Sequence, residues 1–179
     1  MMKCSTCLLP LQLLSNQTYH FPKSLSGLDN LYLTNMTLEV CSQCGETIPH
    51  FYQSPQLLQA IALAISLQPC PLNGDDLRFL RQERALKAKD WAALLRIDPA
   101  TLSRWEHGEQ RFSPQADTLI RTLYRLLLVE QNQLLLPTLT PALTPKLSLI
   151  TSEREAAFAI YLDTQTLTCS YLNLSLLAS

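Results

Sequence analysis

Asp98-Pro99-Ala100-Thr101-Leu102-Ser103-Arg104-Trp105-Glu106-His107-Gly108 carries both ends of a helix and two chemically different faces. The Asp98 carboxylate can accept from the free amides of a first helical turn, and Pro99 lacks an amide that would go unpaired there. Gly108 suits the left-handed position just past a helix end. These signals bound a helix of about two and a half turns. Leu102 and Trp105, three apart, belong to a core. Ala100, Ser103, Arg104 and His107 fall at i, i+3, i+4 and i+7, so they share the opposite, exposed face. Small residues near the helix start let the backbone approach a groove, and Thr101 joins them as a contact candidate. Arg104 can then set its fork on guanine O6 and N7, or on a phosphate.

Two shorter helical patterns precede this one. Asp75 to Leu86 shows Leu77, Leu80 and Leu86 with Arg78, Arg81 and Arg84 between them. Lys89 to Arg96 is expected to turn Trp91, Leu94 and Leu95 inward. Capped short helices joined by a tight turn read as a helix-turn-helix. The competing reading is a three-helix bundle whose exposed face is merely polar. Lys89 and Arg111 flank the reading helix as candidate phosphate contacts. The whole segment from Asp75 to Glu130 holds 10 of the 14 basic residues and 9 of the 15 acidic ones, and its last part is one long helical pattern.

Further out, Ser54 and Pro55 begin a helix with Leu57, Leu58, Ile61 and Ile65 on one stripe, and Pro69 and Pro71 stop it. Pro137, Pro141 and Pro145 forbid a regular helix in the Leu, Thr and Pro run 134–147, which favours an extended connector. Ala156 to Asp163 and Leu167 to Leu174 alternate as two strands joined near Thr164-Gln165, a terminal hairpin.

Cys4 and Cys7 form one C-x2-C pair, and Cys41 and Cys44 form another. Zinc takes four thiolates in a tetrahedron, and each such turn supplies two. Gly45 fits the positive φ that such a turn needs. A redox pair would want a helix start and a βαβ pattern, and neither pair has them. Four thiolates leave no open position for water or substrate, so the expected zinc is structural. His20 and His50 are read as surface or loop residues, and Cys70 and Cys169 as small packing residues. Between the pairs, Ser15 to Asn30 reads as polar and turn-rich. Leu31-Tyr32-Leu33 and Thr37-Leu38-Glu39-Val40 read as short strands feeding the second pair.

Composition supplies the exclusions. The 179 residues are 47% apolar and 16% charged, enough for a core and too apolar for a disordered tail. A net charge of -1 argues against coating nucleic acid or membrane by bulk charge, while leaving room for a local DNA-binding face. The longest apolar run, Leu57 to Leu67, is too short for a bilayer, and no secretory signal opens the chain. A soluble, cytoplasmic protein is expected. Four glycines leave little for a phosphate cradle, and no nucleophile constellation or carboxylate pair suggests an enzyme.

Taken in order, the motifs resemble the MqsA-type (YgiT-type) zinc-finger and helix-turn-helix antitoxins and their stand-alone regulator relatives. The resemblance rests on Cys4-Ser5-Thr6-Cys7, Ser26-Gly27-Leu28-Asp29-Asn30-Leu31-Tyr32-Leu33 and Cys41-Ser42-Gln43-Cys44-Gly45-Glu46. It continues through helix 54–68, Leu77-Arg78-Phe79-Leu80-Arg81, the stretch from Asp98 to Gly108, and Ser113-Pro114-Gln115-Ala116-Asp117, spanning residues 1 to about 130. It implies a structural zinc, a Cro/repressor-type DNA-binding domain and a homodimer on an inverted-repeat operator. For antitoxin members it also implies a cognate toxin and repression of their own operon. Arg104 matches the family's base-reading arginine, and Ala100 falls where another reading residue can sit. The chain departs at Ala88, where Gln is frequent, at Arg96, where the turn often has Gly, and at Leu8, where Gly often follows the first pair.

The expected fold is mainly α with a small β zinc-binding module. It divides into a Cys4 zinc-binding domain at 1–53, a connecting helix at 54–72 and a helix-turn-helix domain at 73–133. A linker at 134–147 and a hairpin segment at 148–179 follow. The expected function is a sequence-specific repressor; the alternative is an antitoxin acting mainly by protein interaction. The stripe of Leu57, Leu58, Ile61 and Ile65 and the hairpin are the candidate dimer interfaces, with plain core as the alternative for both.

Overall fold

The computed structural model describes residues 3–50, 55–131 and 158–173. In chain order the elements are β1 (Gln12–His20), the single helical turn α1 (Lys23–Ser26), β2 (Leu31–Val40) and β3 (Thr47–His50). Then come α2 (Pro55–Leu67), α3 (Gly74–Glu83), α4 (Ala88–Leu95), α5 (Pro99–Glu106), α6 (Pro114–Gln131), β4 (Phe158–Asp163) and β5 (Cys169–Asn173). Ser54 and the run 134–147 lie outside the described residues.

The strands form one mixed sheet in the order β1-β2-β4-β5, with β3 also on β2. β2 is central because it alternates apolar residues inward, with Leu31, Leu33, Met36 and Leu38 buried. The phase slips by one between Leu33 and Met36, where Asn35 takes a left-handed φ of 57°. Asn16 in β1 does the same at 58°, and the two irregularities cancel: register is common at Leu14↔Leu38 and again at Tyr19↔Leu33. Asn tolerates this conformation better than most residues, so both halves of β2 keep their apolar faces inward. Residues 15–20, expected as turn-rich, therefore belong to β1. They pair through main chain as a polar edge strand, with no apolar alternation to betray it.

The terminal hairpin forms as expected, with β4 antiparallel to β5. It does not stand apart. β4 lies parallel to β2, from Leu31↔Ile160 to Thr34↔Asp163, and buries Ala159, Ile160 and Leu162 completely. The sheet is thus larger than the small β module expected. The long crossover from β2 through the helices is what a parallel pairing requires. Cys169, expected in a packed position, is exposed.

α2 runs through the centre. Leu57, Ile61, Ala62, Leu63, Ala64 and Ile65 are all buried, so its apolar stripe is monomer core rather than a free dimer face. Arg121 on α6 ties down the end of α2, with Nη1 donating to the carbonyls of Ser66 (3.2 Å) and Gln68 (2.8 Å). Asp117 holds that guanidinium at 2.8 Å and accepts from the Leu72 amide, also at 2.8 Å. α3 starts with a reciprocal cap between Asn73 and Asp76. A Cβ on Gly74 would stand 2.4 Å from the Trp105 carbonyl oxygen, so only glycine lets α3 approach the end of α5 this closely. In α4, Trp91 and Leu95 are buried as expected, whereas Leu94 is 46% exposed, on the wrong side of the helix for the core.

Candidate metal centre and helix-turn-helix face

Cys4, Cys7, Cys41 and Cys44 come together with all four Sγ atoms within 4.8 Å of one another. A thiolate tetrahedron with ~2.3 Å bonds to zinc has edges of about 3.8 Å. Cys4 Sγ and Cys44 Sγ are 3.5 Å apart, so small adjustments would complete it. The donor set fits a metal ion.

Two turns of matching backbone build the cluster. Cys4 N donates to Leu9 O (2.9 Å) and Leu8 N to Cys4 O (3.0 Å). In the second turn Cys41 N donates to Glu46 O (2.8 Å) and Gly45 N to Cys41 O (2.9 Å). Gly45 has φ 74° and its counterpart Leu8 has φ 60°, so the first turn forces leucine into the left-handed region. That costs about 1–2 kcal/mol, against about 0.5–1 kcal/mol of extra chain entropy carried by glycine. Leu8 is 70% exposed and gives little packing in return. Leu8→Gly is therefore expected to raise stability by up to ~1 kcal/mol in thermal melts; a lower melting temperature would show that the side chain is needed.

Protons are unevenly held in the cluster. Hydrogen bonding with Cys44 and burial push Cys7 up to about 12, while the amides of Cys44 and Gln43 hold Cys41 down to about 7. Glu46 reaches in beside the four cysteines: Oε2 accepts from Cys4 Sγ (2.7 Å) and Oε1 from Ser5 Oγ (2.7 Å). Its hydrogen bonds from Cys4 and Ser5 keep its carboxyl below the ordinary range. Glu46 was not among the residues expected at the site; its place directly after Gly45 was the available signal. His20 and His50 end strands, with Nε2 against Asp29 O (2.9 Å) and Glu39 (3.1 Å), and neither joins the cluster.

α4 and α5 form the expected helix pair, closed by Arg96 in the left-handed conformation (φ 54°) that the glycine-poor turn demands. Asp98 caps α5 by accepting from Ala100 N at 2.7 Å. Leu102 and Trp105 are buried, while Ala100, Ser103, Arg104 and His107 are exposed and Thr101 is half-buried. Arg104 lies along its own helix, donating weakly to Ala100 O (3.3 Å) and Thr101 Oγ1 (3.4 Å).

Arg81 makes a two-pronged pair with Glu106, at 2.6 and 2.8 Å, and Arg78 donates to the Glu106 carbonyl at 2.7 Å. Arg84 pairs with Glu83, and Arg121 with Asp117. Arg78 and Arg81, spaced between the leucines of the first helix, thus lock α3 to α5. Lys87, Lys89, Arg96, Arg104 and Arg111 are exposed and make no ion pair among the described residues. All five lie on α4, α5 or their flanks. Lys87, just before α4, was not among the residues expected from sequence.

Compared with family models, curated proteins and solved structures, the chain matches none. Among the described residues, no helix is long and apolar enough to cross a membrane.

Proposed function

We propose that this protein is a sequence-specific DNA-binding transcriptional regulator, a repressor working in the cytoplasm as a homodimer on an inverted-repeat operator. The observation that carries the reading is a local excess of exposed cations without an ion pair among the described residues: five from Lys87 to Arg111, against Asp90, Asp98 and Glu109. They surround α5, whose exposed Ala100 and Ser103 are small enough to enter a groove. Phosphate contacts need such free cations, and base reading needs such a face. The resemblance to MqsA-type (YgiT-type) regulators points the same way. The cysteine cluster takes the role of a structural zinc site, since four thiolates leave no position for a substrate.

Sequencing the DNA fragments retained by the purified protein tests this directly. An inverted repeat with half-sites about 34–36 Å apart is the expected result; no enrichment over input DNA would end the reading. Arg104→Ala should lose about 1–3 kcal/mol of operator binding if the fork reads a guanine, with relaxed preference at one position. Its melting temperature should stay nearly unchanged because the side chain is exposed. A variant binding as tightly as the parent would mean another residue reads the base.

A second reading, a toxin-neutralising antitoxin, is favoured by the exposed leucines at 8, 9, 13 and 14 around the first cysteine turn. Stable co-purification with the product of a neighbouring gene would support it.

A further inference from the structure

His107 closes the reading helix with its ring turned back on the chain. Nδ1 lies 2.7 Å from the Ser103 carbonyl oxygen, and Ser103 Oγ is at 3.4 Å. A carbonyl can only accept, so Nδ1 must carry the proton. In an uncharged imidazole that leaves Nε2 as a bare acceptor. The side chain is exposed, and Nε2 has no hydrogen bond among the described residues.

We propose that His107 fixes the orientation of one operator base pair by accepting, through Nε2, an exocyclic amine: adenine N6 or cytosine N4. This inference rests on the DNA-binding reading. In the major groove guanine and thymine offer oxygen and nitrogen acceptors, which a bare Nε2 meets with repulsion; adenine and cytosine offer a donor. Every base pair carries one amine on one side, so the contact selects which strand bears it. Ser103 and the helix end hold the ring, so the tautomer is set before DNA arrives.

Two measurements separate the steps. Nitrogen NMR of the free protein at mildly alkaline pH should show a protonated Nδ1 and an unprotonated Nε2; the reverse tautomer overturns the proposal without touching the DNA-binding reading. Duplexes are then selected from a random library by the parent, His107→Ala and His107→Lys. The parent should select adenine or cytosine at one position where His107→Ala shows no preference. Reversing that pair should weaken parent binding about 3- to 10-fold, the worth of one hydrogen bond. His107→Lys, which can only donate, should select guanine or thymine there. Identical selections by parent and His107→Ala, or an amine still selected by His107→Lys, overturn the proposal. No enrichment by any of the three proteins overturns the DNA-binding reading, and the assignment with it.

Discussion

With zinc held by the four cysteines as proposed, a strong chelator is expected to abolish the order of the sheet while leaving most of the helix content of α3–α6. Structural zinc sites carry apparent binding energies of about 10–16 kcal/mol, comparable with the whole stability of an ordinary domain. The cysteine turns sit at the joints of the sheet. The first leads into β1 through Leu9 and Pro10, and Cys41 directly follows Val40 at the end of β2. Gln12↔Val40 and Val40↔Thr47 are the sheet pairs nearest the cluster, and β4 leans on the other end of β2. Losing the clamp should therefore release β1 and β3 first and then the hairpin. Amide exchange would show this as protection lost at residues 12–50 and 158–173 but kept at 74–131. Elemental analysis finding no zinc in protein prepared without chelators, or unchanged exchange after chelation, would contradict the assignment. Acid should act in the same direction, because protons compete with the metal for the thiolates.

What was legible in the sequence was local. The α5 boundaries could be read from Asp98, Pro99 and Gly108 because capping acts within one turn of chain. The four cysteines declared their meeting by spacing alone, although 33 residues separate the pairs. The hairpin was legible from alternation. Its docking beside β2 was not, because a parallel pairing between residues 31–34 and 160–163 leaves no local trace in either strand. β1 escaped for a related reason: an edge strand with most of its side chains exposed needs no apolar alternation. The α2 stripe was read as one face because Ala62, Ala64 and Ser66 are small; they are buried all the same, since a helix at the centre needs small residues where neighbours come close. The partners of the α3 arginines were not legible. Charge alone does not reveal that Glu106, twenty-five residues past Arg81, turns inward to meet it.

That pair gives the second large effect. Glu106→Ala is expected to destabilise the fold by about 3–5 kcal/mol, the range for breaking a buried ion pair from one side. Arg81 is 15% exposed at its side chain and Glu106 7%, so water cannot replace the lost carboxylate easily. Among the described residues the Arg81 guanidinium would keep only the Leu86 carbonyl, at 3.1 Å. Arg81→Ala should cost a similar amount, stranding Glu106 near Arg78, whose Nε is 4.0 Å from Oε2. Removing both residues leaves no stranded charge. The double variant should therefore be more stable than the sum of the two single losses predicts, a coupling measurable by urea denaturation. Simple additivity would show the pair to be incidental. The effect on binding follows from position. Glu106 ends α5, and Gly74 already holds that end against α3 through close backbone contact. On the proposed DNA-binding reading, loosening the pair should let α5 shift, so operator affinity should fall together with the melting temperature. Arg104→Ala should lower affinity alone. On that reading, the two signatures separate a residue that aims α5 from one that would contact DNA.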